Sequence, residues 1–290
     1  MSSGRRNISA WDNFIKYHEK EIEYCNNILQ KDQKEICIKL NKNFYNLIKE
    51  IYDDLSSYQE NTEHNNKKIA FQTTPIIGFS RSAYKTGGYV IIGYNEHEGE
   101  DKNDENKNKN ESVEKCPTEN EGRNFTGVTR DNLLNCYQYY TFFTKEMDLG
   151  ENAKFMELIP IRSKGAKELK DILKLLKVKD EKYNLEIEGN VFVQFLLNLL
   201  NEIKPELIIC NSVKSSEIFE KMGEQIINEI DTNVRYWNNI PVILSGQITG
   251  NRRPDNYNLR RIIKQMREEM EKIRIKRIKS LNSGGKENER

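Results

Sequence analysis

Four short apolar runs decide most of what this chain can fold into. They are Tyr89-Val90-Ile91-Ile92-Gly93-Tyr94, Phe155-Met156-Glu157-Leu158-Ile159, Leu207-Ile208-Ile209-Cys210 and Val242-Ile243-Leu244. Each is too short for a buried helix, and most are rich in β-branched or aromatic residues. Runs of this kind read as strands buried on both faces, the habit of parallel sheets. Between them lie stretches with the three- and four-residue spacing of helices. These cover 130–147, with its aromatic run Tyr137, Tyr139, Tyr140, Phe142 and Phe143, then 166–177 and 190–203, then Ser212 to about Ile230, and finally Asn256 to Lys279. Strand and helix in alternation predict an α/β fold, three layers α/β/α around a short, mostly parallel central sheet.

Proline and glycine punctuate this pattern. Gly87-Gly88 precedes the first strand, and Pro205 and Pro241 introduce the third and fourth. Pro160 is expected to stop the second strand, while Gly93-Tyr94-Asn95 and Ser245-Gly246 close the first and last. Ile69–Phe71 and Ile76–Phe79 are lesser apolar runs upstream. Residues 10–58 read as two amphipathic helices, carrying Trp11, Phe14, Ile15, Ile22 and Cys25, then Ile38, Leu40, Phe44, Leu47, Ile48 and Ile51. Such a hairpin needs a partner surface, either the domain that follows or a separate protein. The expected organisation is a helical hairpin over 1–66, an α/β domain over 67–280 and a disordered tail over 281–290. Within the domain, 96–124 is dominated by Glu, Asp, Asn and Lys and cannot bury enough surface to offset its ordering entropy. It reads as a disordered acidic insertion beside the first strand end.

The formal net charge is +1, so no global field argues for a nucleic acid or a membrane. Between Arg252 and Lys279, however, basic residues outnumber acidic ones 11 to 4, a local net of +7. That suits a polyanion, and a solvated helix face is the alternative. No stretch approaches the roughly 18 apolar residues of a membrane span. The five cysteines, Cys25, Cys37, Cys116, Cys136 and Cys210, form no CxxC pair, and the three histidines, His18, His64 and His97, join them in no zinc spacing. Reduced thiols, a cytoplasmic location and no metal or cofactor are the expectations.

Ligands of open α/β sheets sit beyond the carboxyl ends of the strands. At the first, Gly93-Tyr94-Asn95-Glu96-His97 combines a glycine that lets backbone approach a ligand, an amide that donates and accepts, and a carboxylate or imidazole able to act as base. At the last, Ser245-Gly246-Gln247 runs on through Gly250 to Arg252 and Arg253, which would suit a phosphate: amides for the oxygens, arginines for the charge. It is neither a Walker A loop nor a GxGxxG. At Cys210-Asn211-Ser212 the polar pair reads first as a helix cap and Cys210 as core.

These pieces in this order resemble the uracil-DNA glycosylase superfamily. The first motif corresponds to Gly93-Tyr94-Asn95-Glu96, followed by an aromatic-rich helix and a strand with proline and polar residues, Leu158 to Ser163. The strand led by a proline is Pro205 to Ser212, and the second motif is Ser245-Gly246-Gln247, feeding a helix that leans on DNA. The likeness covers roughly 85–275. It implies a base flipped into a pocket, stacked on an aromatic and read at its edge. Gly93, Tyr94, Asn211, Ser245, Gly246 and Gln247 would then hold substrate, and Asn95, Glu96 and Glu157 would be catalytic. Arg252, Arg253 and Arg260 would grip DNA. Glu96 stands where the family has proline, Glu157 where it has a base-reading asparagine, and no histidine follows His97. Two further readings of the residues remain: a non-enzymatic module binding nucleic acid or, through the N-terminal helices, a protein; and an unrelated nucleotide-handling enzyme.

Overall fold

A computed structural model describes residues 10–59, 70–72, 74–78, 82–97, 142–143, 147–163, 166–222, 233–246 and 255–284. The expected α/β class is what forms. Strands β1 (Ala70–Phe71), β2 (Ile77–Gly78), β3 (Tyr89–His97), β4 (Ala153–Ser163), β5 (Leu207–Cys210), β6 (Val234–Trp237) and β7 (Ile240–Leu244) make one seven-stranded sheet, ordered β1-β4-β3-β5-β7-β6. The four central strands are parallel; β1 and β2 share the outer edge of β4 and β6 borders β7, all three antiparallel.

Strand alternation sorts the apolar runs into two cores. Val90, Ile92, Met156, Leu158, Ile208, Cys210 and Val242 face one side. There they meet α1 (Ala10–Ile28), α2 (Lys31–Gln59), α3 (Ala166–Lys179), α4 (Val191–Ile203) and α5 (Val213–Met222). Ile91, Phe155, Leu207, Ile209 and Ile243 face the other, beneath Phe142, Phe143, Met147 and the helix α6 (Asn256–Gly284), which contributes Ile262 and Met266. Helices on both faces of a sheet make three layers.

The N-terminal hairpin spends its apolar face on this domain. Phe44 packs on Phe195 of α4 at 5.6 Å between ring centroids, and Phe14 and Tyr52 both meet Phe71 of β1. Beneath the hairpin lies a buried polar knot. The Tyr84 hydroxyl donates to Glu21 at 2.6 Å and accepts from the Asn41 amide at 3.0 Å, and Thr74 meets the same hydroxyl at 3.1 Å. Burial and the Glu21 charge push the Tyr84 hydroxyl well above its ordinary pKa. Cys25 and Cys37, one on each helix, are joined as a disulfide, which corrects the expectation of reduced thiols at those two positions. Cys210 is a free, buried thiol. No helix among the described residues is long and apolar enough to cross a membrane.

Several boundaries differ from expectation. β3 does not turn at Gly93-Tyr94-Asn95 but continues through Glu96 to His97, so the acidic stretch starts later than 96; the rest of that stretch, 98–124, lies outside the described residues. β4 runs through Pro160, which sits where the β3 register slips between Asn95 and His97. A missing N–H costs no ladder bond there, and the Pro160 carbonyl still accepts from Gln72. Pro241 likewise lies inside β7. β6 was not expected; it forms a hairpin with β7 through Asn238 and Asn239, both at positive φ, the backbone a two-residue hairpin turn demands. α5 ends at Met222, with 223–232 outside the described residues, and α6 extends to Gly284, into the segment read as tail. Of the helix expected over 130–147, only 142–143 and 147 are described.

Tyr84→Phe should lower stability by about 2 kcal/mol, because it leaves the buried Glu21 without its hydroxyl donor. Adding Glu21→Gln should recover part of that loss in urea unfolding, and a further loss from the second change would contradict the polar knot.

Candidate functional site

In chain order the parallel strands run β3, β4, β5, β7, yet across the sheet they lie β4-β3-β5-β7. The winding direction reverses at β3, and the crevice at such a reversal opens beyond the carboxyl ends of β3 and β5. The last fully paired row is Met156, Ile92, Cys210 and Leu244. Past it β5 stops, while β3 continues beside β4 alone, so the sheet has a step at its reversal point.

Gly93 and Glu157 are the next register pair on that step. A Cβ built on Gly93 would lie 2.7 Å from the Glu157 carboxyl carbon. The carboxylate lies across the glycine, and a side chain at 93 would have to push it aside. Strand alternation puts Gly93 and Glu157 on the α6 side of the sheet, with Ile91 and Phe155. Tyr94 packs on the opposite side, against the α1–α5 core. Tyr94 and Glu157 therefore lie on opposite faces of the sheet. Burial raises the Tyr94 hydroxyl above its ordinary pKa, partly offset by Lys214.

The β5 end is tied down by its neighbours. The buried Asn211 donates its N–H to Ile92 at 2.8 Å. Ser212 caps α5, its hydroxyl accepting the Ser215 N–H at 3.0 Å, and Ser215 donates its own hydroxyl to Ile92 at 3.2 Å. The capping role expected of this segment belongs to Ser212. Cys210 is core, and burial pushes its thiol well up, which removes it as a nucleophile.

The Ser245-Gly246 loop is less open than a phosphate cradle requires. The Ser245 hydroxyl donates to the Cys210 carbonyl at 2.7 Å, and its N–H donates to the same oxygen at 3.3 Å. The Gly246 N–H, on a residue at φ +61°, donates to the Ser216 hydroxyl at 3.2 Å. Both amides offered as phosphate donors are thus engaged within the fold. The α6 N-terminus is engaged as well: Asp255 accepts from the N–H groups of Tyr257 at 2.9 Å and Asn258 at 3.0 Å, and these bonds lower its carboxyl pKa. Gln247, Arg252 and Arg253 lie outside the described residues, as do the side chains of Asn95 and Glu96. Arg260 is described and exposed on α6, in a run with Arg261, Lys264 and Arg267.

Sequence reasoning missed Ser215 and Ser216, which tie β3, β5 and the β7 loop together. Their signal was the run Asn211-Ser212-Val213-Lys214-Ser215-Ser216 at a helix start, dense in hydroxyls that can reach backbone. Also missed was the grouping of Glu21, Cys25 and Cys37, whose ligand atoms lie within 4.8 Å of one another. The two thiols in it are joined to each other. The chain matches no protein-family model, no curated protein and no solved structure.

The arrangement supplies one carboxylate, half-sheltered at the sheet step, over a backbone stripped of its side chain. Gly93→Ala should cost about 1–3 kcal/mol by overpacking against Glu157. Glu157→Ala in the same chain should return more than half of it. Strictly additive losses in a double-mutant cycle would show that the two positions do not share that space.

Proposed function

We propose that this chain is a DNA glycosylase-like hydrolase of base-excision repair, a divergent relative of the uracil-DNA glycosylases in fold as in motif order. The observation that carries this reading is the Gly93–Glu157 pair at the step where the sheet reverses. A flipped base needs a crevice that admits it edge-on, and a carboxylate there accepts from base N–H groups or from a water. In the hydrolysis, water attacks the sugar carbon, the bond to the base nitrogen breaks with its electron pair leaving on the base, and Glu157 takes the water proton. Asn95, two residues after Gly93 on the same strand, would orient that water. A base read by Glu157 would have to stack on that side of the sheet and not on Tyr94, and the buried rings of Phe142 and Phe143 there would back the crevice without offering a stacking face. Asn211, Ser245, Gly246 and Gln247 would line the crevice, and Arg252, Arg253 and Arg260 would hold the phosphates of the duplex.

A second reading, a nucleic-acid-binding module without catalysis, is favoured by two observations. No histidine follows His97 to stabilise a departing base, and the Ser245 and Gly246 amides are already engaged.

Duplexes carrying uracil, hypoxanthine or hydroxymethyluracil should accumulate abasic sites, with the rate falling about 10²–10⁴-fold in Glu157→Gln and comparably in Asn95→Ala. Binding without cleavage, weakened by Arg260→Ala and steeply by salt, would select the module. Neither cleavage nor binding would remove both readings.

A further inference from the structure

At the opposite end of the sheet, where β3, β4 and β5 begin, lies a cavity of about 400 Å³ that no part of the glycosylase reading uses. Its floor is the turn Gly87-Gly88, at φ +78° and +76°. Two backbone bonds and one carboxylate fix that turn. Gly87 donates to the Ile203 carbonyl at 2.8 Å, Glu206 donates its N–H to the Gly88 carbonyl at 2.9 Å, and Gly88 donates to the Glu206 carboxylate at 2.9 Å. Lys154 is only 1% exposed, and its ammonium donates to the Gly87 carbonyl at 2.6 Å. A Cβ on Gly88 would meet the Asn152 carbonyl at 2.7 Å and that ammonium at 2.8 Å, so the turn and its crowding both call for glycine.

Around this floor stand Lys85, Lys154, Lys204 and Arg277, against Glu206, which is the one carboxylate among the described lining residues. Arg277 is paired with Glu206 through both its Nε, at 2.7 Å, and its Nη2. That leaves three ammonium groups facing one concavity. Lys204 adds a second sign of purpose. It ends α4 in the left-handed conformation, φ 49° and ψ 60°, a position that glycine or asparagine normally takes. A lysine held there places a cation at the rim at the expense of backbone ease.

We propose that this cavity is a binding site for a phosphate group, held by Lys85, Lys154 and Lys204 above the Gly87-Gly88 turn. Three ammonium groups and the Ser82 and Thr86 hydroxyls match the charge and acceptor count of a phosphate better than those of a carboxylate. The volume leaves room for an appended group of sugar size. Two sources share that chemistry: a free phosphomonoester, and a backbone phosphate of a nucleic acid lying along the exposed basic side of α6, which passes the cavity at Arg277. The site is separate from the Glu157 crevice and stands or falls independently of it.

Lys154 supplies a specific signature. Burial, with the nearby charges of Lys85 and Arg277, lowers its pKa to about 8, against the opposing pull of Glu206. A bound phosphate raises that value again, so at a pH slightly above 8, where phosphate is already the dianion, binding takes up a proton at Lys154.

Titration calorimetry on the full chain tests this with inorganic phosphate, ribose 5-phosphate and a short duplex oligonucleotide, in two buffers of different ionisation enthalpy. Phosphate should bind with a buffer-dependent heat, lost in Lys154→Met, and the exposed pair Lys85→Met/Lys204→Met should weaken it about tenfold or more. Phosphate that also displaces the oligonucleotide, with the double variant weakening both, identifies backbone phosphate as the source. Phosphate or ribose 5-phosphate binding without displacement identifies a free phosphomonoester. Absence of phosphate binding, or an affinity unchanged in Lys85→Met/Lys204→Met, overturns the proposal. That double variant carries the test should Lys154→Met fail to fold.

Discussion

The pairing of β3 on both its edges fixes where every other element of this molecule can lie. From Tyr89 to Ile92 it is hydrogen-bonded to β4 on one side and β5 on the other, all running the same way. Parallel neighbours cannot be joined by tight turns, so each connection must leave the sheet and return over a face. Both faces are then covered, and every residue of the Val90-Ile91-Ile92 run is buried. The same pairing creates the step at the carboxyl end, because β3 and β4 outrun β5. That step comes from unequal strand length, and it lies beside β3 and not at β7.

Two charged residues of β4 follow from this frame. Lys154 and Glu157 are three positions apart, so alternation sends them to opposite faces. Each rests against a glycine of the β3 segment: Lys154 against Gly88, Glu157 against Gly93. Burying a charge is costly unless it is solvated by protein dipoles or by a partner. Lys154 obtains the Gly87 carbonyl, and the pull of Glu206 offsets part of its burial. Charged residues kept in the central strands of a small sheet, with glycines cleared to receive them, are costly as architecture alone. A ligand at either end of the strands gives that cost a reason.

The sequence made the frame legible because burial on two faces writes itself as uninterrupted apolar runs. Tyr89–Ile92, Leu207–Cys210 and Val242–Leu244 were recognisable for that reason, and α3 and α4 for their periodicity. Strand ends were less legible. Gly93 and Pro160 look like terminators, yet one glycine was answering a carboxylate across the ladder and the proline sat in a bulge, both facts about a neighbour distant in sequence. β6 was hidden because Val-Arg-Tyr-Trp carries only weak alternation, although Asn238-Asn239 marked its turn. The knot of Glu21, Asn41, Thr74 and Tyr84 joins four separate segments and leaves no local pattern. The Lys154 cavity was invisible for the same reason, since its cations come from a turn, a strand, a helix cap and the last helix.

Parity also sharpens the chemistry at the crevice. A base stacked on Tyr94 would sit against the α1–α5 layer, one sheet thickness away from the Glu157 carboxylate. Stacking and catalysis must share a face, so an aromatic working with Glu157 has to come from the α6 side. Phe142 and Phe143 on that side are buried in the core, where Phe143 packs on Phe155, two residues before Glu157 on the same strand, at 6.3 Å between ring centroids. The exposed arginines of α6, Arg260, Arg261 and Arg267 among them, belong to the helix on that side too. Under the proposed hydrolysis Glu157 would draw on the α6 face alone, while the helical hairpin covers the other face, fixed there by aromatic packing and by the buried Glu21–Tyr84 bond.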